Sequence, residues 1–186
     1  MGTLVVTAAP DASIGEGEFE VIGTALRGTD KLVRKARGGV IVWDTVNTPA
    51  ICRTTRSMVL AVRETTPYAV TASPKELTIK PGDPINITVA TARRADMPSA
   101  VQLNGSGIEL PAGLTIPTVT INPGQTETKV AITTTDKLKP GTYSFIINSE
   151  AQVPNGTDKK TRCIYPSNPI KITVQDKTPQ VTATNR

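Results

Sequence analysis

Leu77-Thr78-Ile79-Lys80-Pro81-Gly82-Asp83-Pro84-Ile85-Asn86-Ile87-Thr88-Val89 contains two short alternating runs joined by a turn. Leu77 and Ile79 flank Thr78, and Ile85, Ile87 and Val89 flank Asn86 and Thr88. Successive side chains of a strand point to opposite faces, so each run collects its apolar groups on one side and its polar groups on the other. Between the runs, Pro81 presets φ for a turn and Gly82 tolerates the positive φ that such a turn needs. The stretch therefore predicts strand, tight turn, strand, with one face buried and one wet, as in an antiparallel sheet.

The same grammar continues outward. Val119 and Ile121 alternate around Thr120, Val130 and Ile132 around Ala131, Tyr143, Phe145 and Ile147 occupy every second position, and Ile170, Ile172 and Val174 alternate around Lys171 and Thr173. Asn122-Pro123-Gly124-Gln125 and Lys139-Pro140-Gly141-Thr142 repeat the Pro-Gly punctuation. Strands at this spacing, with no helical period between them, predict a sandwich. Residues 68–175 read as one complete immunoglobulin-like antiparallel β-sandwich of about seven strands. Tyr143, just after Pro-Gly, fits either a tyrosine corner or an ordinary core aromatic. Residues 176–186 read as a polar, flexible tail.

Residues 1–67 show an internal repeat of the later sequence. Leu4-Val5-Val6-Thr7 reads against Val130-Ala131-Ile132-Thr133, and Gly15 follows at the spacing of Gly141. Phe19-Glu20-Val21-Ile22 reads against Tyr143-Ser144-Phe145-Ile146, Val40-Ile41-Val42-Trp43 against Arg162-Cys163-Ile164-Tyr165, and Met58–Val62 against Ile170–Val174. The match covers only the second half of the later module. The expectation is that residues 1–67 are the C-terminal half of a second, truncated sandwich. Such strands cannot bury their apolar face alone, so self-association through residues 1–67 is a possible outcome.

Composition narrows the chemistry. Among 186 residues there is no histidine, which removes the commonest general base and metal ligand near neutral pH. The acids are dispersed; Asp83, Asp96 and Asp136 form no liganding run and read as turn-capping groups rather than a calcium site. No catalytic, cofactor-binding or metal-binding residue is expected, and the chain reads as no enzyme. Cys52 and Cys163 fall in equivalent stretches of the two repeats, so they are expected to stay unbridged. The net charge of +5 concentrates between Arg27 and Arg63. With six aromatics in the whole chain, there is little to stack on bases, so a solvated strand face is the better reading and no nucleic acid is expected. No apolar run reaches membrane-span length, and Met1-Gly2-Thr3-Leu4-Val5-Val6 lacks the basic start of a signal peptide.

The chain resembles the C-terminal region of large secreted bacterial proteins that carry pre-peptidase C-terminal-type β-sandwich domains. Val6-Thr7-Ala8-Ala9-Pro10-Asp11-Ala12, Val21-Ile22-Gly23-Thr24-Ala25, Arg34-Lys35-Ala36-Arg37-Gly38-Gly39 and Val42-Trp43-Asp44-Thr45-Val46-Asn47-Thr48-Pro49 carry the resemblance. Leu60-Ala61-Val62-Arg63, Lys80-Pro81-Gly82, Pro140-Gly141-Thr142-Tyr143 and Pro166-Ser167-Asn168-Pro169-Ile170 complete it. The resemblance implies a non-catalytic run of tandem sandwiches, extracellular, periplasmic or at the cell surface, with neighbouring domains of a longer protein as partners. The leading expectation is a structural, spacer or adhesion module. The alternative is a module that binds a cell-surface protein or glycan. Sugar sites present exposed aromatics, and Trp43, Tyr68 and Tyr165 are the candidates outside obvious core positions. Trp43 is expected in the core, since a buried Trp is a frequent sandwich anchor.

Overall fold

The computed structural model describes residues 4–9, 11–45, 48–55, 57–63, 65–106, 110–154 and 159–176, with residues 40–45 and 48–53 described in the backbone alone. All the regular structure in these residues is β. The chain divides into two compact units, residues 7–65 and residues 66–176 together with 4–6.

The first unit holds β1 (Gly15–Phe19), β2 (Ile22–Arg27), β3 (Asp30–Lys35), β4 (Gly39–Thr45), β5 (Thr48–Thr54) and β6 (Met58–Val62). They form three antiparallel ladders: β1 with β6, β2 with β3, and β4 with β5. The ladder of β4 and β5 shifts register on either side of Trp43.

The second unit holds β7 (Tyr68–Ser73), β8 (Glu76–Ile79), β9 (Ile85–Arg93), β10 (Val101–Asn104), β11 (Leu114–Thr115) and β12 (Val119–Ile121). β13 (Glu127–Thr134), β14 (Gly141–Phe145), β15 (Asn148–Pro154), β16 (Lys160–Pro166) and β17 (Ile170–Val174) follow. One sheet has the order β11-β13-β9-β7; the other strands form β12-β10-β15-β16 and β14-β17-β8. β14 and β15 run on as one strand interrupted at Ile146 and Ile147, and β16 and β17 as one interrupted at Ser167, Asn168 and Pro169. With those interruptions joined, the orders are those of an immunoglobulin-like sandwich: A-B-E-D on one side, and A′-G-F-C with a further edge strand on the other. The sequence suggested about seven strands; β8 and β12 form where Leu77–Ile79 and Val119–Ile121 alternate, while the structure divides the two long return strands and adds β7, β10 and the short β11.

The interruption has a visible cause. Pro169 has no N–H to give to a ladder. Ser167 N donates to Ile147 O at 2.9 Å, and Ile147 N donates to Ser167 Oγ at 3.0 Å. The Asn168 amide accepts from Ala72 N at 2.8 Å and donates to Ala72 O at 3.2 Å. A side chain thus replaces the missing backbone partner and ties the bend to β7 in the opposite sheet.

Alternation decides what lies inside. Tyr68, Val70 and Ala72 of β7, Ile85, Ile87 and Val89 of β9, and Val130 and Ile132 of β13 are buried, and the residues between them face outward. They meet Val101, Leu103, Ile121, Phe145, Ala151, Ile170 and Ile172 in one core. The Pro-Gly turns form as the sequence indicates. Gly82 and Gly124 have φ of 91° and 83°, and both turns close in the same way. Asp83 N donates to Lys80 O at 3.1 Å while the Asp83 carboxylate accepts from Lys80 N at 2.8 Å. Gln125 does the same for Asn122, at 3.1 and 2.9 Å. At the third turn the Tyr143 hydroxyl donates to Lys139 O at 2.9 Å. That return to the backbone just upstream makes Tyr143 a tyrosine corner.

The strand pairing of the first unit parallels part of the second's, in a different alignment from the one that residue similarity suggests. β1 pairs with β6 from Gly15↔Val62 to Phe19↔Met58, and β14 pairs with β17 from Gly141↔Val174 to Phe145↔Ile170. Three residues later the hairpin of β2 and β3 opens with Ile22↔Lys35, as that of β15 and β16 opens with Asn148↔Pro166. Ala36 N donates to Val21 O at 2.8 Å where Ser167 N donates to Ile147 O at 2.9 Å. Phe19 therefore corresponds to Phe145 and not to Tyr143. β3, and not Val40–Trp43, is the counterpart of β16. The hairpin of β4 and β5 is an addition between β3 and β6. Residues 4–7, expected to match the strand at Val130–Thr133, carry no strand.

Candidate interaction surface

Of the three aromatic candidates, Tyr68 belongs to the core and not to the surface. It is 1% exposed in the core, so it offers no platform to a sugar. Its alternating neighbours in β7 turn it inward, and its hydroxyl reaches across the sandwich to the carbonyl oxygens of Ser149 and Cys163, 3.0 Å from each. Ser149, also fully buried, donates from Oγ to Tyr165 O at 2.6 Å. Tyr165 is half-buried and packs edge-on against Tyr68, with ring centroids 5.0 Å apart and planes at 79°. These two rings are brought together as a seam joining β7 to β15 and β16. Trp43 belongs to β4, and its side chain lies outside the described residues, as does that of Cys52. Cys163 is a half-buried free thiol.

Burial pushes the Tyr68 phenol from 10.0 up to about 12, with the hydrogen bond to Ser149 acting against the shift. The folded state then holds this proton more tightly than the unfolded state. The associated stability is intact below pH 10 and is lost as pH rises from about 10 to about 12. In denaturant titrations over that window, Tyr68→Phe should lose stability less steeply with pH than the parent. Parallel slopes would show that the buried phenol does not contribute.

The charged groups are arranged as surface pairs. Arg162 grips the Glu150 carboxylate at 2.5 and 2.7 Å and holds its pKa below the usual range. Arg94 does the same to Asp96 at 2.7 and 2.9 Å. Lys35 pairs with Glu20. Asp83 caps its turn, in line with the turn-capping reading. No group of three or more metal-ligating side chains occurs among the described residues. Arg27, Lys31, Arg34, Lys35 and Arg37 of the basic segment are exposed along and beside the β2–β3 hairpin. No helix among the described residues is long and apolar enough to cross a membrane.

The residues that stand out were not singled out as a ligand site. Among the described residues the large exposed hydrophobics are Leu4, Val6, Ile14, Ile22, Leu26, Leu32, Val33, Val59 and Leu60, with Ile164 as the single described member beyond residue 60. On the β1–β6 ladder, directly paired residues share a face. Phe19, Met58, Leu60 and Val62 therefore line one side. Leu60 is 41% exposed and the other three are half-buried. Their counterparts Phe145, Ile170 and Ile172 are 0% exposed and Val174 is 3% exposed. Phe19 and Met58 also line a cleft of about 100 Å³ with Lys35, Ala36 and Gly38. This surface lies within residues 1–67, whose apolar face the sequence leads one to expect uncovered, and the alternation of Met58, Leu60 and Val62 marks it.

No family model matches the chain, and no curated protein matches it. Among solved structures, a chain from work on T cell specificity and activation by the bacterial superantigen toxic shock syndrome toxin-1 is 13% identical. It covers 58% of this chain and 99% of its own length, with a TM-score of 0.33. The BIgI domain of beta protein from S. agalactiae, bound to CEACAM1, is 16% identical and covers 60% of this chain and 99% of itself, with a TM-score of 0.32. At these scores the immunoglobulin-like class rests on the strand order of the second unit.

Proposed function

We propose that this chain is a non-catalytic structural and interaction segment of an extracellular, multidomain bacterial protein, of the kind that carries pre-peptidase C-terminal-type domains. In this reading the closed sandwich of residues 66–176 is a rigid spacer. Residues 7–65 are a protein-contact region. The observation that carries the reading is the contrast between paired residues: Phe145, Ile170 and Ile172 are sealed in a core, while Leu60 and its neighbours on the same kind of ladder are open. A soluble protein seldom presents a contiguous apolar face unless something docks on it. The absence of histidine and the placement of the acids in surface pairs and turn caps support a role without catalysis.

Sedimentation velocity over a dilution series tests this. The full chain should associate as its concentration rises, through the open face, and Leu60→Lys should keep it monomeric. A parent chain that stays monomeric throughout and gains nothing in solubility from Leu60→Lys would overturn the contact role.

A further inference from the structure

We infer that the open face and strand edges of residues 15–62 are a docking site for one kind of occupant. That occupant is a half-sandwich of the type that residues 68–134 form in this same chain, supplied on the N-terminal side of β1. The inference rests on the contact role proposed above and specifies what fills the contact.

The argument is a comparison of two ladders within one molecule. β14 and β17 repeat β1 and β6 pair for pair, five residues each, ending on a Phe in both copies. The hairpins that follow open at the same step, and their bends are closed by the same backbone bond, Val21 to Ala36 and Ile147 to Ser167. In the second copy the neighbours are present. β8 adds to β17 in parallel, from Lys171↔Glu76 to Val174↔Ile79. β10 adds to β15 antiparallel, from Val101↔Ala151 to Asn104↔Asn148. The sheet of β7, β9 and β13 covers the face.

Transferring that register to the first copy sets two edges. Val59 to Val62 of β6 should receive a parallel strand with the pattern Glu-Leu-Thr-Ile, and Ile22 to Ala25 of β2 should receive an antiparallel one. Phe19, Met58, Leu60 and Val62 should then go under a sheet as Phe145, Ile170, Ile172 and Val174 do. A flat, unpaired strand with an apolar side is a template for strand addition. The β4–β5 hairpin does not fill these positions: among the described residues each of its strands pairs with the other alone.

The test supplies the occupant from the chain itself. A second copy of residues 68–140 is fused ahead of residue 15 in the full chain, so that it enters β1 as it normally enters β14. Amide exchange at Met58–Val62 and Ile22–Ala25 should slow by about tenfold or more relative to the parent, as expected when edge amides join a cooperative unit. Ile87→Asp in the donated copy should return those amides to the parent rate. A second measurement fixes the register. With Cys52 and Cys163 replaced by serine, Ala61→Cys should form a disulfide with Thr78→Cys of the donated copy, since Thr173 faces Thr78 in the native ladder. Unchanged exchange, or slowing without that disulfide, overturns the inference. The contact role itself stands or falls separately, on whether the parent chain associates through Leu60.

Discussion

Phe145→Ala should destabilise the sandwich by about 3–5 kcal/mol, the cost of removing a core aromatic that its surroundings cannot replace. Phe145 is 0% exposed, closes β14 opposite Ile170, and lies within the single core that both sheets share. The loss combines the transfer free energy of the ring with a cavity bounded by stiff β-branched neighbours. Lys171, one residue along from Ile170, faces outward; its ammonium is 3.7 Å from the Glu76 carboxylate with both side chains more than half exposed. Such a pair contributes little, so Lys171→Ala should change stability by less than about 0.5 kcal/mol. Chemical denaturation of the two variants separates them. Equal losses would mean that the faces of β17 are reversed.

Gly113→Ala should cost about 2–4 kcal/mol, through strain and collision together. Gly113 has φ of 89°, a region that residues with a Cβ seldom occupy. Its carbonyl accepts from Thr135 N at 2.8 Å, which ties the approach to β11 to the turn after β13. A Cβ here would lie 2.6 Å from Leu138 N and 3.1 Å from Lys137 C. Backbone must move, and Leu138, 1% exposed, moves with it. Gly124 separates the two contributions: its φ is 83°, but a Cβ there meets nothing within 4 Å. Gly124→Ala should therefore cost only about 1–2 kcal/mol, the strain alone. If the two substitutions melt at the same temperature, the close packing around Gly113 is not what holds this corner.

Much of the sandwich was legible because its strands are buried on one side. That constraint writes Ile85, Ile87 and Val89 at every second position, and Pro81-Gly82 and Pro123-Gly124 mark the turns between strands. Other elements left no such trace. β11 has two residues, too few to alternate, and β16 mixes Arg162, Cys163 and Tyr165 because much of it is exposed. Tyr68 sits at the start of its strand, where sequence alone does not distinguish a surface ring from a core one; its burial depends on Ser149 and Cys163 carbonyls far along the chain. The repeat shows the same limit. Leu32 and Val33 of β3 are adjacent, so β3 has no period of two, whereas Val40-Ile41-Val42-Trp43 looks like a strand and attracted the match with Arg162–Tyr165. Hydrogen bonding identifies β3 as the counterpart of β16, since it pairs directly with β2. Leu4–Thr7 has strand-like residues but no partner strand, and propensity without pairing does not make a sheet.

The open and closed states of two like-paired ladders are the centre of this account, and residue-resolved amide exchange on the unmodified dilute chain measures them side by side. Backbone amides of β14 and β17, sealed by β8 and by the core, should exchange only through opening of the whole sandwich. Amides of β1 and β6, paired in the same register but without a covering sheet, should exchange by local opening, about a hundredfold faster or more. Protection of Phe19 and Met58–Val62 equal to that of Phe145 and Ile170–Val174, in a chain shown to be monomeric, would contradict the account.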